Sequence, residues 1–377
     1  MPKAKVTKLK KGALDIDSIR GIINKKAGRE VAHSLQGNNP TEVNEWIPTG
    51  SKWLDAIICK GRHAGIPVGK ISEIAGLPGT GKSFLAAQIA GNAQKMGIDV
   101  VYFDSESAID PSFMERAGCD LDRLMYVQAA SVEFVLETIE ELLATGNKWL
   151  FIWDSLALTP SISDVEGDFN PQSSMAVKPR ILAKGMSKLT IPIADANATF
   201  LVLNQLKTNL GARTPAQAMT EPYTTPGGKA MIYAYSLRVW LTARKAKASF
   251  IVDDNGFRIG SEVKVKLEKS RFGTHGRTCN FKILWGDDSV GVQDEESWFD
   301  AIQISDRLEQ SGAWFTLTHN DGSKEKFQRK QWVNKLESEK FRESVLTIIE
   351  EDVIMKFKNR EGNADDFYDT DEGPPVE

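Results

Sequence analysis

Eight consecutive residues of this 377-residue chain have the types and spacing of a loop that holds phosphate groups. The segment Gly76-Leu77-Pro78-Gly79-Thr80-Gly81-Lys82-Ser83 matches the pattern G-x-x-x-x-G-K-[ST]. In this pattern the backbone N–H groups surround nucleotide phosphates, the lysine reaches the β- and γ-phosphates, and the final hydroxyl ligates Mg²⁺. The segment therefore predicts a nucleotide site in which residues 76–83 bind the cofactor and Ser83 binds the metal.

The flanks of this loop separate it from an ordinary glycine-rich turn. Residues 70–75 have the apolar pattern of a strand that enters the loop, and residues 84–90 have the pattern of a helix that leaves it. The N-terminus of such a helix faces the phosphates and favours their negative charge. Strand, loop and helix together favour the phosphate-binding interpretation.

Three further apolar strands are predicted to end in polar residues. Trp149 to Trp153 lead into Asp154, an acid placed to hold Mg²⁺. Glu106 follows another strand and can orient and deprotonate a water that attacks the γ-phosphate. Gln205 ends a third strand with an amide that can bind that phosphate without adding charge. Taken singly, each is also compatible with an ordinary polar residue at a strand end.

Composition limits the class of protein. The chain is 41% apolar and 26% charged, as is usual for soluble globular proteins, and it has no run of 18 apolar residues that would span a membrane. Its lysine-rich first residues precede no apolar run, so we expect no secretory signal. The three cysteines form no C-x-x-C pair, which argues against zinc and disulfides and fits a reducing cytosol.

Negative charge is concentrated at the C-terminus. Residues 361–377 contain seven acids and no base, and we expect this polar segment to be a disordered tail. Such a tail either keeps the protein in solution or competes with nucleic acid for basic surface and offers a handle to partner proteins. The remainder has 47 bases against 44 acids (51 less the seven in the tail), which is compatible with a polyanionic partner without requiring one.

The order of predicted elements indicates an α/β fold. Strands are predicted at 70–75, 99–103, 149–153, 199–203, 236–241 and 263–267, and helices at 83–96, 131–144 and 180–197. Strands that alternate with helices favour a mostly parallel twisted sheet covered on both faces. We expect a basic N-terminal arm with a helix over 1–45, this core over 46–285, a small C-terminal α+β domain over 286–360, and the tail.

The N-terminal arm contains one amphipathic helix. Ile16, Ile19, Ile22 and Ile23 fall on one face, with Asp15 or Asp17 as the N-cap. Such a face either folds onto the core of its own chain or docks on a neighbouring subunit.

Two polar stretches, 161–174 and 207–226, are predicted as loops that follow strands. Both leave the edge of the sheet at which this kind of fold binds ligands. Loops beyond ~12–15 residues in a compact domain are usually functional or disordered, so the second loop of about twenty residues favours a binding role.

The order of motifs resembles that of RecA-type recombinases, with phage UvsX-like recombinases as the most similar type. The matching segments are 47–55 (IPTGSKWLD), 65–70 (GIPVGK), the phosphate loop, 104–111 (DSESAIDP), 154–160 (DSLALTP), 166–167 (EG), 204–205 (NQ), 224–230 (TTPGGKA), 268–271 (EKSR) and 312–314 (GAW). So many short matches in one order are far more specific than the phosphate loop alone.

The resemblance implies a RecA-type ATPase core that binds ATP and Mg²⁺ between subunits. Lys82, Ser83 and Asp154 would hold Mg-ATP, Glu106 would be the catalytic base, and Gln205 would couple the γ-phosphate to the loop after it. The residues implied at the adenine are Asp110 and Phe113, and the cations implied to act from the neighbouring subunit are Lys269 and Arg271. Without the resemblance, the segment that holds these two cations would be interpreted as a solvated strand end.

The same resemblance implies that the two polar loops bind single-stranded DNA, which needs cations at its phosphates and wedges or stacking surfaces at its bases. The residues implied to insert between bases are Met175 and Leu210, and those implied to meet phosphates are Arg180, Lys207, Arg213, Gly227 and Gly228. Pro179 departs from the family pattern at a position where a helix usually continues, so we expect a reshaped first loop.

The implied function is a DNA recombinase that forms ATP-dependent helical filaments on single-stranded DNA. It would catalyse homologous pairing and strand exchange, with DNA-stimulated hydrolysis of ATP to ADP and phosphate. The implied partners are single-stranded and homologous duplex DNA, further copies of the chain, a single-strand-binding protein and a loader. The implied location is the cytoplasm of a bacterial cell or of a phage-infected host.

Two alternatives belong to other classes of protein. A ring-forming RecA-fold DNA motor would share the phosphate loop and Glu106, but should lack the element 224–230 and the N-terminal docking helix. A recombinase paralogue that acts as a mediator would be expected to lose Glu106 or Lys82, and this chain has both.

Overall fold

The structure is a computed structural model that describes residues 15–35, 41–107, 109–167, 177–211, 214–243, 249–286 and 290–354. The chain divides into two compact units, Met1–Asn44 and Glu45–Glu377. Most of the basic arm, the two predicted DNA contacts Met175 and Arg213, and the acidic tail lie outside the described residues.

The first unit contains the helix α1 (Ile16–Ala27). Of the two candidate caps it is Asp15 that begins the helix, and its side chain accepts a hydrogen bond from Ser18 N at 2.6 Å. The helix ends at Gly28, whose φ of 69° is readily adopted by glycine. All four isoleucines of the apolar face are exposed, by 40% to 76%. The helix predicted from the sequence therefore exists, and its apolar face is exposed within the described part of its own unit.

The second unit is built around a large mixed sheet. Among the described residues its ten strands follow the order β14-β13-β12-β10-β3-β7-β6-β4-β5, with β11 beside β12. The strands in chain order are β1 (Trp46–Ile47), β2 (Ile66–Pro67), β3 (Ile71–Gly76), β4 (Asp99–Asp104), β5 (Leu124–Gln128), β6 (Trp149–Asp154), β7 (Thr199–Gln205), β8 (Lys207–Thr208), β9 (Tyr223–Thr224), β10 (Leu237–Ala243), β11 (Phe250–Val252), β12 (Arg258–Ser270), β13 (Thr278–Leu284), β14 (Gly291–Gln293), β15 (Leu308–Ser311), β16 (Trp314–Thr318) and β17 (Lys324–Gln328).

The helices of this unit lie on the two faces of the sheet, in its loops or near the C-terminus. They are α2 (Lys52–Ile58), α3 (Lys82–Lys95), α4 (Pro111–Arg116), α5 (Val132–Leu143), α6 (Ile162–Glu166), α7 (Val177–Asp195), α8 (Pro215–Thr220), α9 (Gly228–Ala234), α10 (Asp294–Ile302), α11 (Trp332–Leu336) and α12 (Glu339–Ile348), with a π-helical turn at Ile349–Val353 and 3₁₀ turns at Leu121–Arg123 and Arg329–Gln331.

Alternate residues of the central strands pack into two separate hydrophobic cores, one on each face of the sheet. In β6, Leu150 and Ile152 pack into the core that contains α3, whereas Phe151 and Trp153 pack into the core that contains α5 and α7. Every residue of this strand is buried, which explains its nearly continuous apolar sequence. The α/β class and the parallel pairing of β10, β3, β7, β6, β4 and β5 are confirmed.

The structure differs from the sequence-based assignment in two regions. Beyond β10 the sheet turns antiparallel through β12, β13 and β14, and the sequence predicted only a short strand at 263–267 there. The two stretches predicted as loops also contain regular elements. The first holds α6, and the second holds α8 and the short antiparallel pair β8–β9. Their short, polar sequences carry too little periodicity to reveal these elements.

The C-terminal elements form a small α+β cluster. Strands β15, β16 and β17 make an antiparallel sheet, and α10, α11 and α12 pack beside it. Phe299 is central to its core, because its ring lies edge-on to Phe315 at 4.9 Å and to Trp332 at 5.2 Å. No helix in the described ranges is long and apolar enough to cross a membrane.

One buried acid gives the fold a pH dependence. Asp55 of α2 is 6% exposed, and its Oδ1 accepts hydrogen bonds from Thr49 Oγ1 at 2.7 Å and Thr49 N at 3.1 Å. Burial raises its pKa from 3.8 to about 8, although the hydrogen bonds from Thr49 oppose the shift. The folded protein therefore keeps a proton on Asp55 at pH values at which the unfolded chain has lost it.

We expect the free energy of unfolding to fall as the pH rises from about 4 to about 8, because the folded state binds the extra proton in that window. Asn at position 55 keeps the shape and the acceptor. Asp55→Asn should remove a slope of roughly 1.4 kcal/mol per pH unit between about pH 6 and 8, as measured by chemical denaturation. The exposed Asp122→Asn is the control, and an unchanged slope in Asp55→Asn would contradict the assignment.

Candidate functional site

The phosphate loop lies between β3 and α3. β3 ends at Gly76 and α3 begins at Lys82, so the residues between them form a tight connection. Gly79 and Gly81 have φ values of 70° and 80°, which side chains rarely adopt. A Cβ on Gly81 would also lie 2.5 Å from Ile283 Cδ1. The glycines are therefore required by the path of the backbone at this point.

Lys82 places its charge over this loop. Its Nζ donates hydrogen bonds to the carbonyl oxygens of Gly76 at 3.3 Å and Leu77 at 3.2 Å. Burial lowers the pKa of Lys82, whereas the nearby Asp154 and Glu106 act in the opposite direction. A phosphate at this position would give the half-buried ammonium an anionic partner.

The candidate metal ligands are in direct contact with each other. Ser83 Oγ donates to Asp154 Oδ2 at 2.7 Å, and the buried Tyr102 hydroxyl donates to the same oxygen at 2.8 Å. Burial raises the pKa of Asp154, and these two hydrogen bonds oppose the shift. A hydroxyl and a carboxylate form an oxygen donor set that fits Mg²⁺, which usually takes one or two protein ligands together with substrate phosphates. Sequence reasoning did not identify Tyr102.

Glu106 lies at the open side of the same cleft. Its backbone N–H donates to Asp104 Oδ1 at 2.8 Å, and Ser155 Oγ donates to its carboxylate at 3.2 Å. Because Ser155 directly follows Asp154 in the chain, the candidate base and the candidate metal ligand are held by one turn. The Glu106 side chain remains exposed and free to contact water.

One cleft of about 450 Å³ is lined by Lys82, Ser83, Glu106 and Asp154. Gln205, at the end of β7, also lines it, as does Phe113, whose ring meets Phe84 edge-on at 5.0 Å. Trp285, just after β13, adds a second aromatic wall that sequence reasoning missed, although its place after an apolar strand was a usable signal. Asp110 lies outside this lining, where it caps α4, and hydrogen bonds from Ser112 lower its pKa.

The two cations predicted to act from a neighbouring subunit do not line the cleft of their own chain. Lys269 Nζ donates to the carbonyl oxygens of Ile232 at 2.7 Å and Tyr233 at 3.2 Å, near the end of α9. Arg271 donates to Tyr233 O at 2.8 Å. Burial, reinforced by Arg271 and Arg238, lowers the pKa of Lys269 to about 8. Both cations thus lie together, apart from the phosphate loop.

The described parts of the two loops lie close to each other. β8 follows Gln205 almost immediately, and Lys207 pairs with Thr224 across the base of the second loop. Gly227 and Gly228 begin α9 with φ values of 109° and 80°, and a Cβ on Gly228 would lie 3.6 Å from Pro179 in the first turn of α7. Pro179 is accommodated there because a first turn lacks internal hydrogen-bond partners. The exposed predicted DNA contacts here are Arg180, Lys207, Leu210 and Gly228.

Lys178 connects the start of α7 to the segment that follows β6 and the candidate metal ligand Asp154. Its Nζ donates to the carbonyl oxygens of Leu156 at 2.7 Å, Ala157 at 3.2 Å and Thr159 at 2.6 Å. Burial lowers its pKa, and Asp164 acts in the opposite direction. Sequence reasoning did not single out this residue, because a lysine in a polar segment normally indicates a solvated surface.

Comparison with known proteins identifies relatives over most of the chain. The family model for the RecA N-terminal domain matches residues 15–290. Protein RecA of Bifidobacterium breve is 31% identical over 301 residues, which cover 80% of this chain and 72% of the relative. Protein RecA of Fusobacterium nucleatum is 30% identical over 317 residues, which cover 84% and 79%. These relatives are bacterial, and the similarity to phage recombinases stays a prediction.

We expect Lys178→Met to lower the free energy of unfolding by about 2–3 kcal/mol, because one partly buried ammonium donor is lost and interactions of this charged type are worth ~1.5–3 kcal/mol. Denaturant titration measures this. The exposed Lys184→Met, on the same helix, should change stability by less than about 0.5 kcal/mol. Equal stability of the two variants would show that the three contacts contribute nothing.

Proposed function

Because this chain belongs to the RecA family of DNA recombinases, which are DNA-dependent ATPases, we propose that it pairs homologous DNA strands by means of an ATP-dependent filament on single-stranded DNA. The observation that carries the proposal is that Lys82, Asp154, Glu106 and Gln205 line one cleft, and that Gln205 runs directly into the second loop. A nucleotide in the cleft therefore has a short physical route to a surface that can hold DNA.

ATP binds, in this proposal, with its phosphates on residues 76–83 and its base between Phe113 and Trp285. Ser83 and Asp154 would hold Mg²⁺, which would supply positive charge to offset that of the phosphates. Glu106 orients a water and accepts its proton, while Ser155 fixes the position of the Glu106 carboxylate. The presence of both Lys82 and Glu106 in the cleft favours an active ATPase over a mediator without catalysis.

Lys269 and Arg271 complete the site of a neighbouring copy. Their position away from their own phosphate loop supports a role in trans, where they would stabilise charge on the γ-phosphate. This contact joins two different surfaces of successive copies. Such a contact generates an open helical filament when the rotation that relates one copy to the next does not close into a ring. The exposed isoleucines of α1 supply a second such contact on a neighbouring copy. Loss of the γ-phosphate then loosens the filament and releases DNA.

DNA binds along the two loops in this proposal. Lys207 and Arg180 meet phosphates, and the 93% exposed Leu210 inserts between bases. Base pairing with a duplex, and not protein side chains, reads the sequence. The protein acts in the cytoplasm of a bacterial cell or phage-infected host, with a single-strand-binding protein and a loader as further partners.

Glu106→Gln tests the catalytic assignment. We expect DNA-stimulated ATP hydrolysis to fall by about 10²–10⁴-fold, because the variant cannot accept a proton from water. Binding of single-stranded DNA in the presence of ATP should persist, because the charge of the γ-phosphate is still sensed. Glu115→Gln on the exposed side of α4 is the control. Substantial hydrolysis by Glu106→Gln would remove Glu106 from the role of base.

Mixing two inactive variants tests the arrangement between subunits. Glu106→Gln retains the cations, and the double variant Lys269→Ala/Arg271→Ala retains the base. In an equimolar mixture about a quarter of the sites in an open filament should receive both intact halves, and hydrolysis should return in proportion. Mixing either variant with a chain that carries all three substitutions should restore nothing. The absence of rescue in the first mixture would contradict action in trans.

A further inference from the structure

An ion pair is buried in the centre of the sheet next to the phosphate loop. Glu73 lies in β3 and Arg238 lies opposite it in the neighbouring β10. Arg238 Nε donates to Glu73 Oε2 at 2.6 Å, and the two side chains are 6% and 0% exposed. Because the desolvation of such a pair offsets most of its attraction, an apolar pair would often stabilise the fold equally well. The pair is therefore better explained by the positions in which it holds neighbouring groups than by stability.

The remaining polar atoms of this pair lead to two other elements. Glu73 Oε1 accepts a hydrogen bond from Asn204 Nδ2 at 3.0 Å, and Arg238 donates through its second nitrogen to Thr225 Oγ1 at 2.9 Å. Asn204 Nδ2 also donates to Pro226 O at 3.0 Å, and Asn204 Oδ1 accepts from Gln205 N at 2.9 Å. We call Glu73, Arg238, Asn204 and Thr225 the Glu73 network.

The residues of the Glu73 network are close in the chain to both proposed binding sites. Glu73 lies three residues before the first glycine of the phosphate loop, and Asn204 directly precedes Gln205 at the nucleotide cleft. Thr225 and Pro226 form the return of the second loop, immediately before the Gly227 and Gly228 turn. The Glu73 network therefore joins the nucleotide cleft to the loop assigned to DNA.

A small apolar cluster joins the same elements. Trp240 and Leu206 are 8% and 5% exposed and pack together with Ala75, and Leu77 and Tyr223 lie against them. Leu77 belongs to the phosphate loop, Leu206 follows Gln205, and Tyr223 pairs with Thr208 at the base of the second loop. The base of the loop is therefore packed directly on the phosphate loop.

We propose that Glu73, Arg238, Asn204 and Thr225 are positioning residues through which the γ-phosphate sets the position of residues 223–228. Displacement of Gln205 toward a phosphate displaces the adjoining Asn204, whose amide holds Pro226 O. The buried Glu73–Arg238 pair holds the other end of this connection, because a buried polar group cannot exchange its partner for water without cost. The inference rests on the proposed function, since it requires nucleotide and DNA to bind at these two sites.

Thr225→Val tests this inference. Valine keeps the shape of threonine and removes the acceptor for Arg238, and Thr225→Ser restores a hydroxyl. Thr190→Val is the matched control, because Thr190 lies in α7 outside both loops and its hydroxyl donates to Met186 O at 2.6 Å within the same helix. The measurement is the Kd of a fluorescent oligo(dT), taken once with ADP and once with a non-hydrolysable ATP analogue, with the Kd of the analogue measured without DNA.

The coupling is the ratio of the oligonucleotide Kd with ADP to the Kd with the analogue. We expect this ratio to be about tenfold lower in Thr225→Val than in the wild type, since allosteric coupling is commonly 5–150-fold. Affinity for the analogue without DNA should stay within about twofold, as expected when only the coupling changes. Thr225→Ser should recover most of the ratio, and Thr190→Val should match the wild type. Glu73→Gln, which keeps the side-chain volume, should reproduce the loss and serves if Thr225→Val does not fold.

Two outcomes would overturn the inference separately from the function. An unchanged ratio in both Thr225→Val and Glu73→Gln would show that the network does not transmit the nucleotide state. A Thr225→Val variant that binds DNA equally more weakly with ADP and with the analogue would show a direct contact instead of coupling. If the wild type itself shows no nucleotide-dependent ratio, the proposed function fails and this inference fails with it.

Discussion

In a parallel sheet each strand delivers its last residues to the same edge, and in this protein four adjacent strands do so. β3 leads into the phosphate loop, β7 ends at Gln205, β6 ends at Asp154, and β4 leads to Glu106. The pairing of Gly76 with Gln205 and of Asp104 with Asp154 places these ends at matching heights. If this register shifted by one residue, every side chain would move to the other face of the sheet and the cleft would be lost.

The electrostatics of the cleft follow from that convergence. Burial lowers the pKa of Lys82 and raises the pKa of Asp154, so both ionised side chains are costly in the protein alone. A polyphosphate with a divalent cation would give each of them a partner of opposite charge. The cleft is therefore suited to a ligand that carries both signs of charge, as Mg-ATP does.

In the antiparallel half of the sheet, β10 connects the phosphate-loop strand to the strand that carries Lys269. β10 lies between β3 and β12, so Arg238 faces the strand of the phosphate loop on one side and Lys269 on the other. The same strand thus contacts the phosphate loop through Leu241 O, which accepts from Leu77 N, and it also borders the return of the second loop and the pair of cations assigned to the neighbouring copy. This arrangement gives a single rigid element contact with all three parts of the proposed switch.

The sequence alone was sufficient for the features that depend on local patterns. The phosphate loop, the parallel core, the N-terminal amphipathic helix and the strand-terminal residues Asp154 and Gln205 could all be identified, because each depends on short-range spacing and apolar periodicity, whereas the choice of Asp15 over Asp17 as the helix cap required the structure. The roles assigned to these residues stay predictions.

Tertiary structure alone decided which distant side chains meet. Spacing could not reveal that Tyr102 contacts Asp154, that Lys178 contacts three carbonyl oxygens, or that Glu73 and Arg238 form a buried pair. Glu73 and Arg238 are 165 residues apart, and only the strand order places them side by side. A charged residue in a strand is normally interpreted as solvated, and the packing of the sheet decides whether it instead becomes part of the interior.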